Sequence, residues 1–178
     1  MSMQSGSAVT LPERLTQRSA TLVTIDVMRC RHLLSQIDDG AERVLFLDDF
    51  YTLVTRHIEA GGGEVLKHMG DSVFALFDED DCLEAITALS AMRSAFPAIC
   101  RKRGLTPTDL RASVHIGEVI VGGFGPNGYR DALGTAAGVV FAMEGPGITV
   151  SEQVYRKLPR GARSPWKKRG GRVSYHMT

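Results

Sequence analysis

Cysteine is scarce in this chain: Cys30, Cys82 and Cys100 are the only three among 178 residues, an odd number with no C-x-x-C spacing. That excludes the disulfide framework that small secreted domains rely on and fits reduced thiols. Long apolar runs are missing as well. Nothing approaches the ~18 residues that a membrane helix requires, and the N-terminus lacks the apolar core of a signal peptide, so the expectation is a soluble, cytoplasmic chain with no membrane segment. Neither sign of charge dominates: 21 Lys and Arg against 20 Asp and Glu leave a formal net charge of +1, which gives no global attraction to a polyanion. What remains is an ordinary 43% hydrophobic share and enough length to bury one sizeable core. Residues 1–19, rich at first in Ser, Gln and Gly and without a clear period, read as a mobile leader, and residues 20–178 as a single domain.

The element pattern is legible from apolar spacing. Residues 20–27, ATLVTIDV, read as a short β-branched strand closing on Asp26, and an acid ending an apolar strand is costly unless paired or metal-bound. From Arg29 to Ala60 the period is helical, with Val44, Leu47, Phe50 or Tyr51, Val54 and His57 or Ile58 on one face, Gly61 as the stop and His57 as a packed histidine. Residues 61–77, GGGEVLKHMGDSVFALF, read as strand, tight Gly70-Asp71 turn, strand. A second amphipathic helix over 80–103 turns Leu83, Ile86, Leu89, Met92 or Ala91, and Phe96 inward. Residues 109–121 give two apolar runs broken near 115–118, 122–130 a turn, 134–144 a short helix of small residues, and 147–150 a strand. Ser151 caps a helix to Leu158, and Val173 to His176 reads as a closing strand.

This order, β, α, β, β, α, β with C-terminal additions, predicts an α+β fold with a ferredoxin-like βαββαβ core. In that topology the first strand lies beside the central hairpin, so Asp26 at a strand end and Asp71 at the adjoining tip converge. Two converging carboxylates need a shared proton or cations, and metal is the better reading. Gly123, Gly125 and Gly128 match G-x-G-x-x-G after a strand, yet Pro126 and Asn127-Gly128 favour a turn and no helix opens there, so the dinucleotide-binding context fails. The tail from Arg156 to Arg172 carries eight basic residues and no acid. Such a tract can meet nucleic acid or an acidic partner, but a solvated rim is the commoner explanation, and a nucleic-acid partner is not expected.

The blocks 62–77, LRASVHIGEVIVGGFG at 110–125, YRDALG at 129–134 and GITVSEQVYRKL at 147–158, together with the strand ending in Asp26, resemble the catalytic domain of class III nucleotidyl cyclases in the right order. The likeness covers residues 21–158, with a weaker match at 166–175. It implies that Asp26 and Asp71 are the metal ligands for two Mg²⁺ or Mn²⁺ ions, and that Lys67 and Asp131 are the purine-reading pair. An ammonium suits the adenine N1 acceptor and a carboxylate suits the exocyclic amine, so ATP is favoured over GTP. It further implies a head-to-tail dimer, of two copies or with another cyclase domain, and conversion of ATP to cyclic AMP and pyrophosphate.

Two positions and one loop depart from the family pattern. The ribose-orienting Asn falls on Gly138 and the transition-state Arg on Ala142, neither with a side-chain donor. Loss of one such donor costs ~10²–10³ in rate and loss of a phosphoryl-transfer arginine ~10³–10⁵, so turnover in a homodimer is expected to be weak or absent. The expectation is then a pseudo-cyclase regulatory module, or a chain active only beside a partner that supplies both groups. Where the family favours Gly-Phe-Thr after the first metal acid, this chain has Arg29-Cys30-Arg31. Arg29 and Arg31 would lend charge to a triphosphate, obstruct it, or be solvated surface.

Overall fold

The computed structural model describes residues 10–169 and 174–177. The elements that build the frame are β1 (Leu15–Val27), α1 (Cys30–Leu34), α2 (Gly40–Ala60), β2 (Glu64–Met69), β3 (Ser72–Asp78), α3 (Cys82–Lys102) and β4 (Leu110–Phe124). They are followed by β5 (Tyr129–Leu133), α4 (Thr135–Phe141), β6 (Ile148–Ser151), α5 (Glu152–Lys157), β7 (Lys167–Arg169) and β8 (Ser174–Met177). One sheet runs in the order β2-β3-β1-β4-β6-β8-β7, with β5 paired to β4 alone. Its first four strands are the antiparallel ferredoxin-like core that the sequence predicts, extended by the C-terminal strands.

Alternation along the strands separates two cores. On one face Val23, Ile25, Val73, Ala75, Phe77, Ala112 and Val114 pack against α2 and α3. Phe46, Phe50 and Phe96 meet edge to face between those helices, with centroids 6.2 and 6.1 Å apart. On the other face Leu22, Phe74 and Leu76 lie beneath Val119, Val121, Ala132, Ala136 and Val140. The long arm of β4 and β5, followed by α4, therefore covers the second face instead of leaving it bare.

Several boundaries differ from the sequence reading. β1 reaches back to Leu15, because residues 15–19 pair with Glu118 to Gly122 of β4; residues 1–9 of the expected leader lie outside the described residues. The expected break near 115–118 is absent: β4 is continuous, and Tyr129–Leu133 is a strand in its own right. The first helical region splits into α1 and α2, the latter capped by Asp39, whose carboxylate accepts from Ala41 N–H at 2.6 Å. The phase of α2 buries Phe46 and Leu53 and exposes Val44, while in α3 Leu83 faces outward and Ala85 inward. His57 is half-buried, its ring bonded to the Leu53 carbonyl at 2.8 Å. Val173 and Arg172 lie outside the described residues, and the closing strand runs Ser174–Met177 against a basic strand, β7. Gly70 takes φ 64° at the hairpin tip, as its turn requires, and Gly63 lies flat on Phe77, where a Cβ would come within 2.6 Å of the ring.

Candidate active site

The ends of β1 and β3 meet where the hairpin chemistry places them. Asp26 is the register partner of Ser72, and the Val27 N–H donates to the Asp71 carbonyl at 3.0 Å. The two carboxylates have different partners. Asp26 accepts from the Ser72 hydroxyl and faces the Arg111 guanidinium, 3.5 Å away across the β1–β4 ladder. Asp71 lies beside Cys30 and within range of the Tyr51 phenol. Burial, and next the charge and hydrogen bond of Asp71, push the Cys30 thiol up to about 11. Burial and the same carboxylate raise the Tyr51 phenol, whose hydroxyl donates to the Gly70 carbonyl at 2.6 Å. A cavity of about 600 Å³ opens beside Asp71, lined by Cys30, Arg31, Ser35, Arg43 and Leu47.

Arg29 is the one non-glycine among the described residues with positive φ, at 54°. A left-handed backbone there explains why glycine suits this position, and an arginine holds it under strain. Arg29 and Arg31 are both exposed.

Lys67 and Asp131 come together across 64 positions of chain, Lys67 Nζ donating to Asp131 Oδ2 at 2.6 Å. The β4–β5 arm carries Asp131 over the second face of the sheet to reach β2. Lys67 also stands 5.5 Å over the Phe74 ring, and Asp131 Oδ1 accepts from the Ala132 N–H at 2.8 Å. The register shift between Val65 and Lys67 turns the lysine toward this meeting point.

Gly138 lies on the outer face of α4 and Ala142 is its exposed C-cap residue, one turn on, while Ala136, Ala137 and Val140 face the second core. A Cβ on Gly138 would meet nothing within 4 Å, and Ala142 is exposed. The tight packing that small residues imply is thus confined to the other side of the helix. In the basic tail, Arg156 pairs with Glu152, Lys157 with Glu79 and Asp80, and Arg163 caps the Leu158 carbonyl, so much of that tract is locally engaged.

Sequence reasoning passed over Arg111, the cation that faces Asp26, because it sits at an unremarkable alternating position of β4. It also passed over a second ion pair beside Lys67 and Asp131, between Glu64 and Arg130. The charge pattern EVLK on β2 and RD on β5 was the available signal.

No protein-family model matches the sequence. An adenylate cyclase of Anabaena cylindrica is 27% identical over 156 residues, covering 79% of this chain. The chain spans only 31% of that relative's length. Among solved structures, a bacterial light-regulated adenylyl cyclase superposes with a TM-score of 0.78 at 19% identity, over 91% of this chain and 52% of its own. The adenylyl cyclase CyaB from P. aeruginosa gives 0.76 at 19%, over 90% of this chain and 94% of its own, and the guanylyl cyclase Cya2 gives 0.75 at 20%, over 90% and 91%. The resemblance read from the motif blocks is thus matched in three dimensions, and this chain has the fold of the class III nucleotidyl cyclase catalytic domain.

Proposed function

We propose that this chain binds ATP with Mg²⁺ or Mn²⁺ at the face carrying Asp26, Lys67 and Asp131, in a head-to-tail pair with a second copy or a related cyclase domain. Turnover to cyclic AMP by two copies alone is weak or absent. The observation that carries the reading is the Lys67–Asp131 pair, a donor and an acceptor joined at 2.6 Å from distant parts of the chain. Opened around a purine, Lys67 donates to adenine N1 and Asp131 accepts from the exocyclic amine; guanine offers a donor and an acceptor in the reverse places.

The donor chemistry fits a divalent cation. Asp26, with the Ser72 hydroxyl beside it, and Asp71 stand at adjoining strand ends, all hard oxygen donors. Ions held there would polarise the ribose 3′-hydroxyl and screen the triphosphate in an in-line displacement. Arg111, freed from Asp26 when the carboxylate turns to a cation, would donate to a phosphate oxygen as its new partner. The β5–α4 arm exposes Tyr129, Leu133 and Phe141, an apolar set that a second domain would cover.

Weak turnover follows from α4. Gly138 on the outer face of the helix and Ala142 at its C-cap offer no side-chain donor to the ribose or to charge developing on phosphate. Catalysis is expected beside a partner whose own helix supplies both groups to a site completed by Asp26 and Asp71 of this chain. The test is a cyclic AMP assay with ATP and Mn²⁺, run beside nucleotide-binding calorimetry on the same sample. Binding with little product is the expected result; absence of binding would refute the reading.

A further inference from the structure

Two ion pairs join β2 to β5, although the sheet does not pair these strands: β2 bonds to β3 and β5 to β4. One is Lys67–Asp131; the other is Glu64–Arg130, a two-pronged contact with Arg130 Nε at 2.6 Å from Oε1 and Nη2 at 2.9 Å from Oε2 of Glu64. Such a fork fixes both distance and plane, which a lysine contact does not. Glu64 and Lys67 stand three residues apart, and strict alternation would send them to opposite faces. The register shift between Val65 and Lys67 cancels that, so both reach β5. On β5 their partners are consecutive, and the position of Arg130 therefore dictates where Asp131 can stand.

The exposures divide the roles. Glu64 and Arg130 side chains are 42% and 53% exposed, against 35% and 20% for Lys67 and Asp131, so the fork lies outside and the second pair inside. An ion pair so exposed contributes little to folding stability. Its geometry, not its energy, is what the inner pair depends on. The hydrogen bond to Arg130 holds the Glu64 carboxyl below its usual range, so the fork is intact at neutral pH.

We propose that Glu64 and Arg130 are positioning residues that set the spacing of Lys67 and Asp131 and thereby the preference for adenine over guanine. The proposal rests on reading Lys67 and Asp131 as the purine pair. Opening the fork leaves β5 held by its ladder with β4 alone, so that its side-chain spacing to β2 is no longer set on the outer side, and the inner pair then meets either purine with similar, imperfect geometry.

The experiment uses the whole chain, with Glu64→Gln, Arg130→Gln and the exchanged double variant Glu64→Arg with Arg130→Glu, each checked by thermal melting. Without nucleotide, the Lys67 ammonium resonance is followed by ¹⁵N NMR; with Mn²⁺, ATP and GTP affinities are measured by calorimetry. Each single variant should melt close to the parent, shift the Lys67 side-chain resonance from its position in the parent and lower the ATP-to-GTP affinity ratio about five-fold or more. The exchanged double variant should recover both. A folded single variant with the parent's Lys67 signal and the parent's ratio overturns the proposal, as does an exchanged variant that recovers neither. Failure of the parent chain to bind ATP overturns the purine reading and the selectivity built on it, while the Lys67 signal, read without nucleotide, still decides whether the fork positions the pair.

Discussion

Arg111 lies directly across the β1–β4 ladder from Asp26, its guanidinium 3.5 Å from the carboxylate. The side chain thus occupies, without ligand, the charge that a cation would otherwise neutralise, and the two compete for the same acid. Replacing Arg111 with Gln should strengthen Mn²⁺ binding in the absence of nucleotide. It should weaken ATP binding in the presence of Mn²⁺ by ~10-fold, because a charge-assisted contact to the triphosphate is lost. Titration of the variant with Mn²⁺ alone and then with ATP separates the two effects; movement of both affinities in one direction would count against the competition.

The outer face of α4 can be refitted. Gly138→Asn meets open space and Ala142→Arg projects from an exposed position, so the double variant should fold with a melting temperature near that of the parent. Cyclic AMP formation should rise by ~10³ or more, with ATP affinity changed much less, since each restored donor acts on the transition state. A folded, ATP-binding double variant as slow as the parent would move the fault to the strained Arg29 loop.

Assembly is the next consequence. A nucleotide shared between two chains stabilises their association by mass action, so sedimentation should show a dimer when ATP and Mn²⁺ are present. A strict monomer at saturating nucleotide would remove the shared site.

Stability should depend on pH through His115. Burial lowers this imidazole from its ordinary value of 6.5, and its Nδ1 is sealed without a partner among the described residues. The unfolded chain takes up this proton near 6.5 while the folded chain resists it. Its contribution is therefore complete above that pH and falls away as the solution is acidified below it. Melting temperatures recorded from about pH 8 to about pH 5 should decline on the acid side, and His115→Gln should make that decline shallower. An unchanged slope would show that another group sets it.

Much of this arrangement was legible in the sequence because its signals are local. The Gly70-Asp71 turn and the acid closing β1 fix the hairpin tip beside Asp26 once the βαββαβ order is granted. Lys67 and Asp131 were paired by resemblance, since nothing local relates residues 64 positions apart. Arg111 and the Glu64–Arg130 fork escaped for the same reason: each partner is an ordinary surface charge until the sheet and its folded-back arm bring them together. The continuous β4 looks like two runs in the sequence because Gly117 and Glu118 interrupt its apolar pattern, yet unbroken pairing with β1 from Leu110 to Gly122 carries the strand through them. Helix phase was half-visible. The period marks a face on α2, but the choice of Phe46 and Leu53 over Val44 is made by the sheet beneath and by α3.

The central claim is metal-dependent recognition of ATP, and calorimetry of the parent chain and of Asp71→Ala with ATP and with GTP, each with and without Mn²⁺, tests it most directly. The account predicts that the parent binds ATP more tightly than GTP, that Mn²⁺ strengthens the ATP signal, and that Asp71→Ala removes the metal-dependent part. Equal affinity for the two nucleotides, or an Asp71→Ala variant that responds to Mn²⁺ as the parent does, would contradict it.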